Sequence, residues 1–264
     1  MYLSFFSHPK PFTEEFNELQ IAAIESWKQI VPTPKIYLLG DDEGIREAAE
    51  TLGVRHIPDI EKNEWGTPLV SSIFDKIRDT CPLRSVACYI NTDIVLGQEF
   101  MDTVCACTDK FWTKDEIEDE WLLVGRRMNV ETKELPSISW DNIRNAPSEY
   151  YGNDGIDYFV FPKDTYQFVY PFALGKFVWD QYLVGQVHRR GIPCVDCSET
   201  ITALHLNAPW YFNGEAEVNR QKIYDSEEGI RNRGFEYYQK NIGNGTNHVT
   251  YREGDEVKVR KLFN

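Results

Sequence analysis

The chain is predicted to be α/β, with a mostly parallel central sheet flanked by helices in one domain. Three observations carry this expectation. Short apolar runs alternate with amphipathic stripes through the first half. Gly, Pro and Asp stand at the junctions between them. In addition, the run Ser85-Val-Ala-Cys-Tyr-Ile-Asn-Thr-Asp-Ile-Val-Leu96 reads as a buried strand ending in polar residues, followed at once by a second apolar run. A βαβα succession implies parallel strands with crossover helices.

Tyr2-Leu-Ser-Phe-Phe6 is the first expected strand, closed by His8-Pro-Lys-Pro-Phe12. A helix is expected to start near Thr13 as N-cap, with the stripe Phe16, Leu19, Gln20, Ala23, Ile24, Trp27 and Ile30; Pro32 and Pro34 stop it. Lys35-Ile-Tyr-Leu-Leu39 is the second strand, and Gly40-Asp-Asp-Glu-Gly44 turns into a helix carrying Ile45, Ala48, Ala49 and Leu52. Gly53 occupies the position a left-handed cap prefers. Val54-Arg-His-Ile57 is a short strand, and a polar loop follows over 58–66. Thr67-Pro68 has the form of an N-cap with proline at the first helical position, ahead of Leu69, Val70, Ile73, Phe74 and Ile77. Further on, Trp121-Leu-Leu-Val-Gly125, Tyr158-Phe-Val-Phe161 and Ile201-Thr-Ala-Leu-His-Leu206 read as strands, with a helix over 177–189 and a polar segment over 129–153. The chain after Trp210 is polar and rich in Gly and Asn, and is expected to wrap the surface or cover a site. With no repeat or clear linker, one domain over 1–264 is expected, in a first half over 1–110, a second over 111–210 and a C-terminal extension over 211–264.

The formal charge of −14 over 264 residues argues against nucleic acid or an anionic membrane surface as partner. An acidic protein that holds phosphates needs a metal ion or local Arg and Lys to offset the charge. No apolar stretch approaches the roughly 20 residues of a transmembrane helix, and Met1-Tyr-Leu-Ser-Phe-Phe6 is too short for a signal peptide and lacks a basic leader. The expected location is therefore cytoplasmic. Of the six cysteines, Cys194 and Cys197 are spaced as zinc or redox pairs are, but without a second matching knuckle; Cys81, Cys88, Cys105 and Cys107 complete the set, and ordinary buried thiols are expected.

Side chains alternate along a strand, so Asn91 and Asp93 should project together and Thr92 away. Open α/β sheets bind ligands at such strand ends, although Asn and Asp also serve simply as turn residues. Other polar groups gather at expected strand or helix ends: Lys10, Asp41 and Asp42, Arg126 and Arg127, Asp154 and Asp157, Asp180 beside Trp179, and His205 within an apolar strand.

With these elements in this order, the chain resembles the nucleotide-sugar-dependent glycosyltransferases of the GT-A fold, most closely family-2-like members of bacterial and viral type. The resemblance runs from Ser4 to about Asn219. It is carried by Phe5-Phe-Ser-His-Pro-Lys-Pro-Phe12, Gly40-Asp-Asp-Glu-Gly44, Asn63-Glu-Trp-Gly-Thr-Pro68, Tyr89-Ile-Asn-Thr-Asp-Ile94, Val124-Gly-Arg-Arg127, Gly155-Ile-Asp-Tyr-Phe-Val-Phe161, Trp179-Asp-Gln-Tyr182 and the stretch from Asp196 to His205. It implies that Asn91-Thr92-Asp93 stands for the DXD motif that binds Mn²⁺ or Mg²⁺ and the donor diphosphate. The first carboxylate is here an amide, which leaves Asp93 to carry the metal, with His205 completing the site.

The same resemblance implies Lys10, Asp41, Asp42, Asn91, Asp93 and Arg126 on the nucleotide-sugar donor. It implies Arg127, Asp154, Asp157 and Trp179 on the sugar or on a glycan or other hydroxyl acceptor. Asp180 matches the base of an inverting transfer; as a residue near a helix start it also has a plain capping role. Two other readings stand beside this one. A sugar-phosphate nucleotidyltransferase should show a Gly-rich loop after the first strand, where this chain has Ser7-His-Pro-Lys-Pro. A non-catalytic nucleotide- or carbohydrate-binding protein is compatible with Asn91.

Overall fold

The computed structural model describes residues 2–13, 16–112, 120–207, 215–235 and 238–262. The first half follows the expected alternation: β1 (Tyr2–Ser7), α1 (Asn17–Lys28), β2 (Lys35–Leu39), α2 (Ile45–Leu52), β3 (Arg55–Ile57), α3 (Val70–Thr80), β4 (Ser85–Ile90), β5 (Ile94–Val95) and α4 (Glu99–Phe111). The second half contains β6 (Leu122–Glu131), a 3₁₀ turn (Thr132–Glu134), α5 (Trp140–Arg144), β7 (Ser148–Tyr150), β8 (Ile156–Pro162), α6 (Trp179–Arg189), β9 (Cys194–Asp196) and β10 (Ala203–Asn207). The C-terminal part adds α7 (Glu215–Asp225), α8 (Glu227–Gly234), α9 (Ile242–Gly245), β11 (His248–Glu253) and β12 (Glu256–Lys261).

The main sheet runs β12-β11-β9-β6-β8-β4-β1-β2-β3. Only β8 and β12 oppose the other strands on this path, so the sheet is mostly parallel. A side arm leaves β6: β10 pairs parallel to β6 and antiparallel to β5. This arm matters for the site, because it brings the segment after β4 against the far end of β6.

Alternation along the strands explains how both faces are covered. Phe5, Ile36, Leu38, Val86 and Cys88 point into one core, packed by Leu19, Ala23, Ile24 and Trp27 of α1, by α2 and by α4. Phe6, Tyr37, Leu39, Ala87 and Tyr89 point into the other, packed by Ile73, Phe74 and Ile77 of α3 and by Leu183, Val184 and Val187 of α6. A strand buried on both faces reads as a continuous apolar run, as β4 does.

Several boundaries differ from expectation. The N-cap of α1 is Phe16 and not Thr13; Thr13 instead offers its carbonyl to the Phe16 and Asn17 amides. α3 starts at Val70 because Pro68 and Leu69 are held in isolated bridges to Lys62 and Ala173. β6 continues through Arg126, Arg127 and Asn129, so the segment expected to be polar opens with three strand residues and also holds α5 and β7. Gly125 sits in β6 where an added Cβ would stand 2.0 Å from the Tyr158 hydroxyl, and the ladder to β8 shifts register there. The tail is not merely a surface wrap, since β11 and β12 extend the main sheet. Trp210, and the positions around it as far as 214, lie outside the described residues.

Candidate active site

A cleft of about 650 Å³ lies at the carboxyl ends of β1 and β4, the edge at which open α/β sheets take ligands. It gathers Lys10, Asp42, Asn91, Asp93, Arg127, Asp154, Asp157, Trp179, Asp180 and His205, ten of the residues singled out in the sequence. Asp41 and Arg126 are not among its lining residues. Asp41 is exposed and paired with Lys62 Nζ at 2.6 Å. Arg126 follows the rule of alternation: next to Arg127 in an extended strand, it faces the other way and stacks over Tyr150 at 4.3 Å.

The Asn91-Thr92-Asp93 corner is a turn, not a continuation of the strand. β4 ends at Ile90, and Ile94 N–H returns to the Asn91 carbonyl at 3.2 Å. Ser7 at the end of β1 fastens the corner, donating to the Ile90 carbonyl and lying 2.6 Å from the Thr92 hydroxyl. Thr92 is thereby buried at the cleft floor, with Asn91 and Asp93 on either side. From behind, Trp27 Nε1 donates to the Ile94 carbonyl.

Asn91 and Asp157 form one unit. The Asn91 amide donates to Asp157 Oδ1 at 2.6 Å, and Arg127 donates to Asp157 Oδ2 at 3.0 Å. Both oxygens of the buried Asp157 are therefore engaged. A second carboxylate at position 91 would face Asp157 directly, which gives a physical reason for the amide. Arg127 also lies over the Tyr151 ring at 4.2 Å, and Arg220 of α7 donates to the Tyr151 hydroxyl.

Asp93 and His205 are set opposite each other by the β5–β10 pairing. His205 is in register with Ile94, and the Leu206 amide donates to the Asp93 carbonyl at 2.9 Å. His205 Nε2 then lies 3.5 Å from Asp93 Oδ2. On the far side of the ring, Nδ1 is 2.7 Å from Asn207 Oδ1. An amide oxygen only accepts, so Nδ1 carries the proton, and Nε2 needs a proton or a cation between it and the carboxylate. Burial alone would raise the Asp93 pKa. The charges of His205, Lys10 and Arg127 override it and hold the carboxyl well below the usual carboxylate range.

The residues present fit a divalent ion. Asp93 Oδ1 is buried without a hydrogen-bond partner, as is Asn129 Oδ1 on the strand position in register with His205. Such orphans cost about 1–3 kcal/mol each unless something fills the gap. Neighbouring ligands of an octahedral ion with ~2.1 Å bonds stand about 3 Å apart, close to the separation seen here. A carboxylate with an imidazole suits Mn²⁺, which accepts oxygen and nitrogen. Among the described residues no group of three or more His, Cys, Asp or Glu side chains is placed to hold a metal. Protein would thus supply two ligands, and ligand oxygens the rest.

Asp180 occupies the other side of the cleft, in the first turn of α6. Its Oδ1 accepts the Gln181 amide at 2.8 Å. Burial, with Asp157 and Asp154 adding negative charge, pushes its pKa up to about 7 despite that bond. The residue that starts the helix, Val178, has φ +80°, a left-handed conformation costly for a β-branched side chain. Strain of this kind persists only where the surroundings hold it, here at the turn that aims Asp180. Trp179 is 7% exposed and packs edge-on against Tyr89, so only a small part of it reaches the cleft. Asp154 accepts from Gln181 and Asn241.

Sequence reasoning missed His8, Gln20, Tyr151, Lys176 and Arg220 of the lining, and Asn207 behind it. Gln20 binds both the amide and the carbonyl of Lys10, which explains a polar break in the α1 stripe. His8 packs on Gly40, where an added Cβ would stand 2.4 Å from the ring and where φ is +95°. The spacing His205-x-Asn207 was a readable signal, since alternate strand residues share a face.

No protein-family model and no curated protein sequence matches the chain. Solved structures do. Glucosyl-3-phosphoglycerate synthase from Mycobacterium tuberculosis, in complex with Mn²⁺, UDP and glucosyl-3-phosphoglycerate, is 15% identical with a TM-score of 0.45, over 86% of this chain and 80% of that one. Mannosyltransferase PcManGT from Pyrobaculum calidifontis, in complex with GDP-Man and Mn²⁺, is 8% identical with a TM-score of 0.49, over 83% and 60%. The inositol-1-phosphate CTP transferase from T. maritima is 13% identical with a TM-score of 0.44, over 86% and 97%. Glycosyltransferases and nucleotidyltransferases thus both occur among the similar structures. None of the three reaches a TM-score of 0.5, and the fold stands on this chain's own strand order. Among the described residues no helix is long and apolar enough to cross a membrane.

Proposed function

We propose that the protein is a divalent-metal-dependent glycosyltransferase, moving a sugar from a nucleotide-diphosphate sugar to a hydroxyl of a glycan or other acceptor with inversion. The observation that carries this reading is a pair of carboxylates in one cleft with opposite character. Asp93 is kept ionised beside His205, while Asp180 is held near neutrality in its proton affinity. Two titratable groups driven apart in this way suit two different tasks.

Asp93 and His205 would hold Mn²⁺ or Mg²⁺, which when bound offsets the charge of the leaving diphosphate. Lys10 and Arg127 add positive charge on the same side of an otherwise acidic chain. Asn91, its amide committed to Asp157, keeps its carbonyl oxygen for a donor hydroxyl. Asp42 stands at the end of β2 for the nucleoside. On the other side, Asp180 accepts the proton of the acceptor hydroxyl as that oxygen bonds to the anomeric carbon. The bond from that carbon to the diphosphate oxygen breaks, and its electron pair leaves with the nucleotide. Residues 1–110 would serve the donor and 111–210 the acceptor, with 211–264 as an extension.

A panel of nucleotide sugars tests the reading. Release of nucleoside diphosphate from one of them, dependent on Mn²⁺ or Mg²⁺, is the expected result. Release of pyrophosphate from a nucleoside triphosphate and a sugar phosphate would make the protein a nucleotidyltransferase instead.

A further inference from the structure

We infer that Asn207 is a positioning residue for the cation site: it holds the His205 ring in the Nδ1–H form and so reserves Nε2 for an ion shared with Asp93. This rests on the metal-dependent reading above and adds a residue to it. His205 and Asn207 alternate on β10 and share a face. Their side chains meet at 2.7 Å, and both residues are buried, Asn207 at 1% exposure.

The amide is itself held in one orientation. Asn207 is in register with Glu131 on β6, and its Nδ2 donates to Glu131 Oε1 at 3.4 Å. Its backbone carbonyl accepts from the Thr132 hydroxyl at 2.5 Å. With the NH₂ committed to a carboxylate, the amide oxygen is left for the ring, and it can only accept. An apolar residue would fill this buried position without the cost of burying an amide. What the amide adds is a fixed tautomer and a fixed ring plane. Metal-bound histidines are commonly oriented in this way by the partner of their second nitrogen, and losing such a partner weakens metal binding about 10–100-fold.

The test uses the full chain and Mn²⁺ alone, with binding read by electron paramagnetic resonance, and ¹⁵N NMR of the His205 ring in metal-free protein. Asn207→Leu keeps the volume and removes the acceptor; it is expected to weaken Mn²⁺ binding about 10–100-fold and to release the Nδ1–H form. Asn207→Asp keeps an acceptor and should retain binding. In a His205→Ala background, Asn207→Leu should cause no further loss, which a merely structural role would not predict. Binding of Mn²⁺ that needs His205 but is indifferent to Asn207 overturns this inference alone. A wild-type protein that binds no Mn²⁺ overturns the metal-dependent reading together with it. Should the Leu variant fail to fold, the wild-type spectrum still decides: a ring whose Nδ1 lacks its proton in metal-free protein contradicts the proposal.

Discussion

Asp93 and Asp180 line the same cleft, and their surroundings push them in opposite directions. Asp93 comes from the corner after β4 and faces His205, with Lys10 and Arg127 adding positive charge; together these overcome its burial. Asp180 comes from the first turn of α6, faces Asp157 and Asp154, and has the backbone amides of Gln181 and of its own residue to offset its burial. The difference shows that burial alone does not set the role of a carboxylate. The sign of its neighbours does. In the proposed reading, Asp93 stays negative and attracts a cation, while Asp180 trades a proton near neutral pH.

The largest expected effect comes from removing the second member of this contrast. Asp180→Asn should lower transfer about 10²–10⁴-fold, the usual contribution of a general base, with metal-dependent binding of nucleoside diphosphate retained. Equal loss of binding would make Asp180 a ligand-holding residue. Next, Asp93→Asn should abolish the stabilisation that nucleoside diphosphate and Mn²⁺ confer together, about 2.7 kcal/mol at a hundredfold excess over Kd in the wild type. Urea unfolding with and without ligand reads this directly.

Dependence on pH sharpens the comparison further. Activity should rise as Asp180 ionises through about pH 7. For stability the signs are opposite. The Asp180 carboxyl binds its proton more tightly folded than unfolded, so its contribution is present below its ordinary pKa of 3.8 and is lost as pH rises toward about 7. Asp93, with a depressed pKa, contributes above the ordinary carboxylate range and loses that contribution as pH falls through it. Unfolding of wild type and Asp180→Asn at pH 5 and pH 8 should show the variant gaining relative stability at the higher pH. The smallest effect is expected from Asn91→Asp, which loses the 2.6 Å bond to Asp157 and sets two carboxylates together. It should cost about 1–3 kcal/mol, more at pH 8 than at pH 5, in the same unfolding experiment.

The first half of the fold was legible because its strands are buried on both faces and its helices carry clean stripes. β2 and α2, with Gly53 at φ +67°, match the expectation residue for residue. β6 was cut short because Arg126, Arg127 and Asn129 look like loop, although a strand whose one face lines a polar cleft must carry such residues. α4 went unseen: its buried face mixes Phe100, Met101, Val104 and Cys107 with Thr103 and Thr108, and it begins soon after β5. The β11–β12 hairpin has only short alternations, Val249 with Tyr251 and Val257 with Val259, to mark it among polar and charged residues. At the site, residue types at strand ends were readable, and most of them converge. Their partners were not, because Asn207 reaches His205, and Asn91 reaches Asp157, through pairings that depend on the sheet.

Thermal unfolding with a nucleoside diphosphate, with and without Mn²⁺, in wild type, Asp93→Asn and Asp180→Asn tests the division of labour most directly. A rise in Tm that requires Mn²⁺, persists in Asp180→Asn and vanishes in Asp93→Asn is the predicted result. A rise that needs no metal, or that survives the loss of Asp93 and disappears with Asp180, would contradict it.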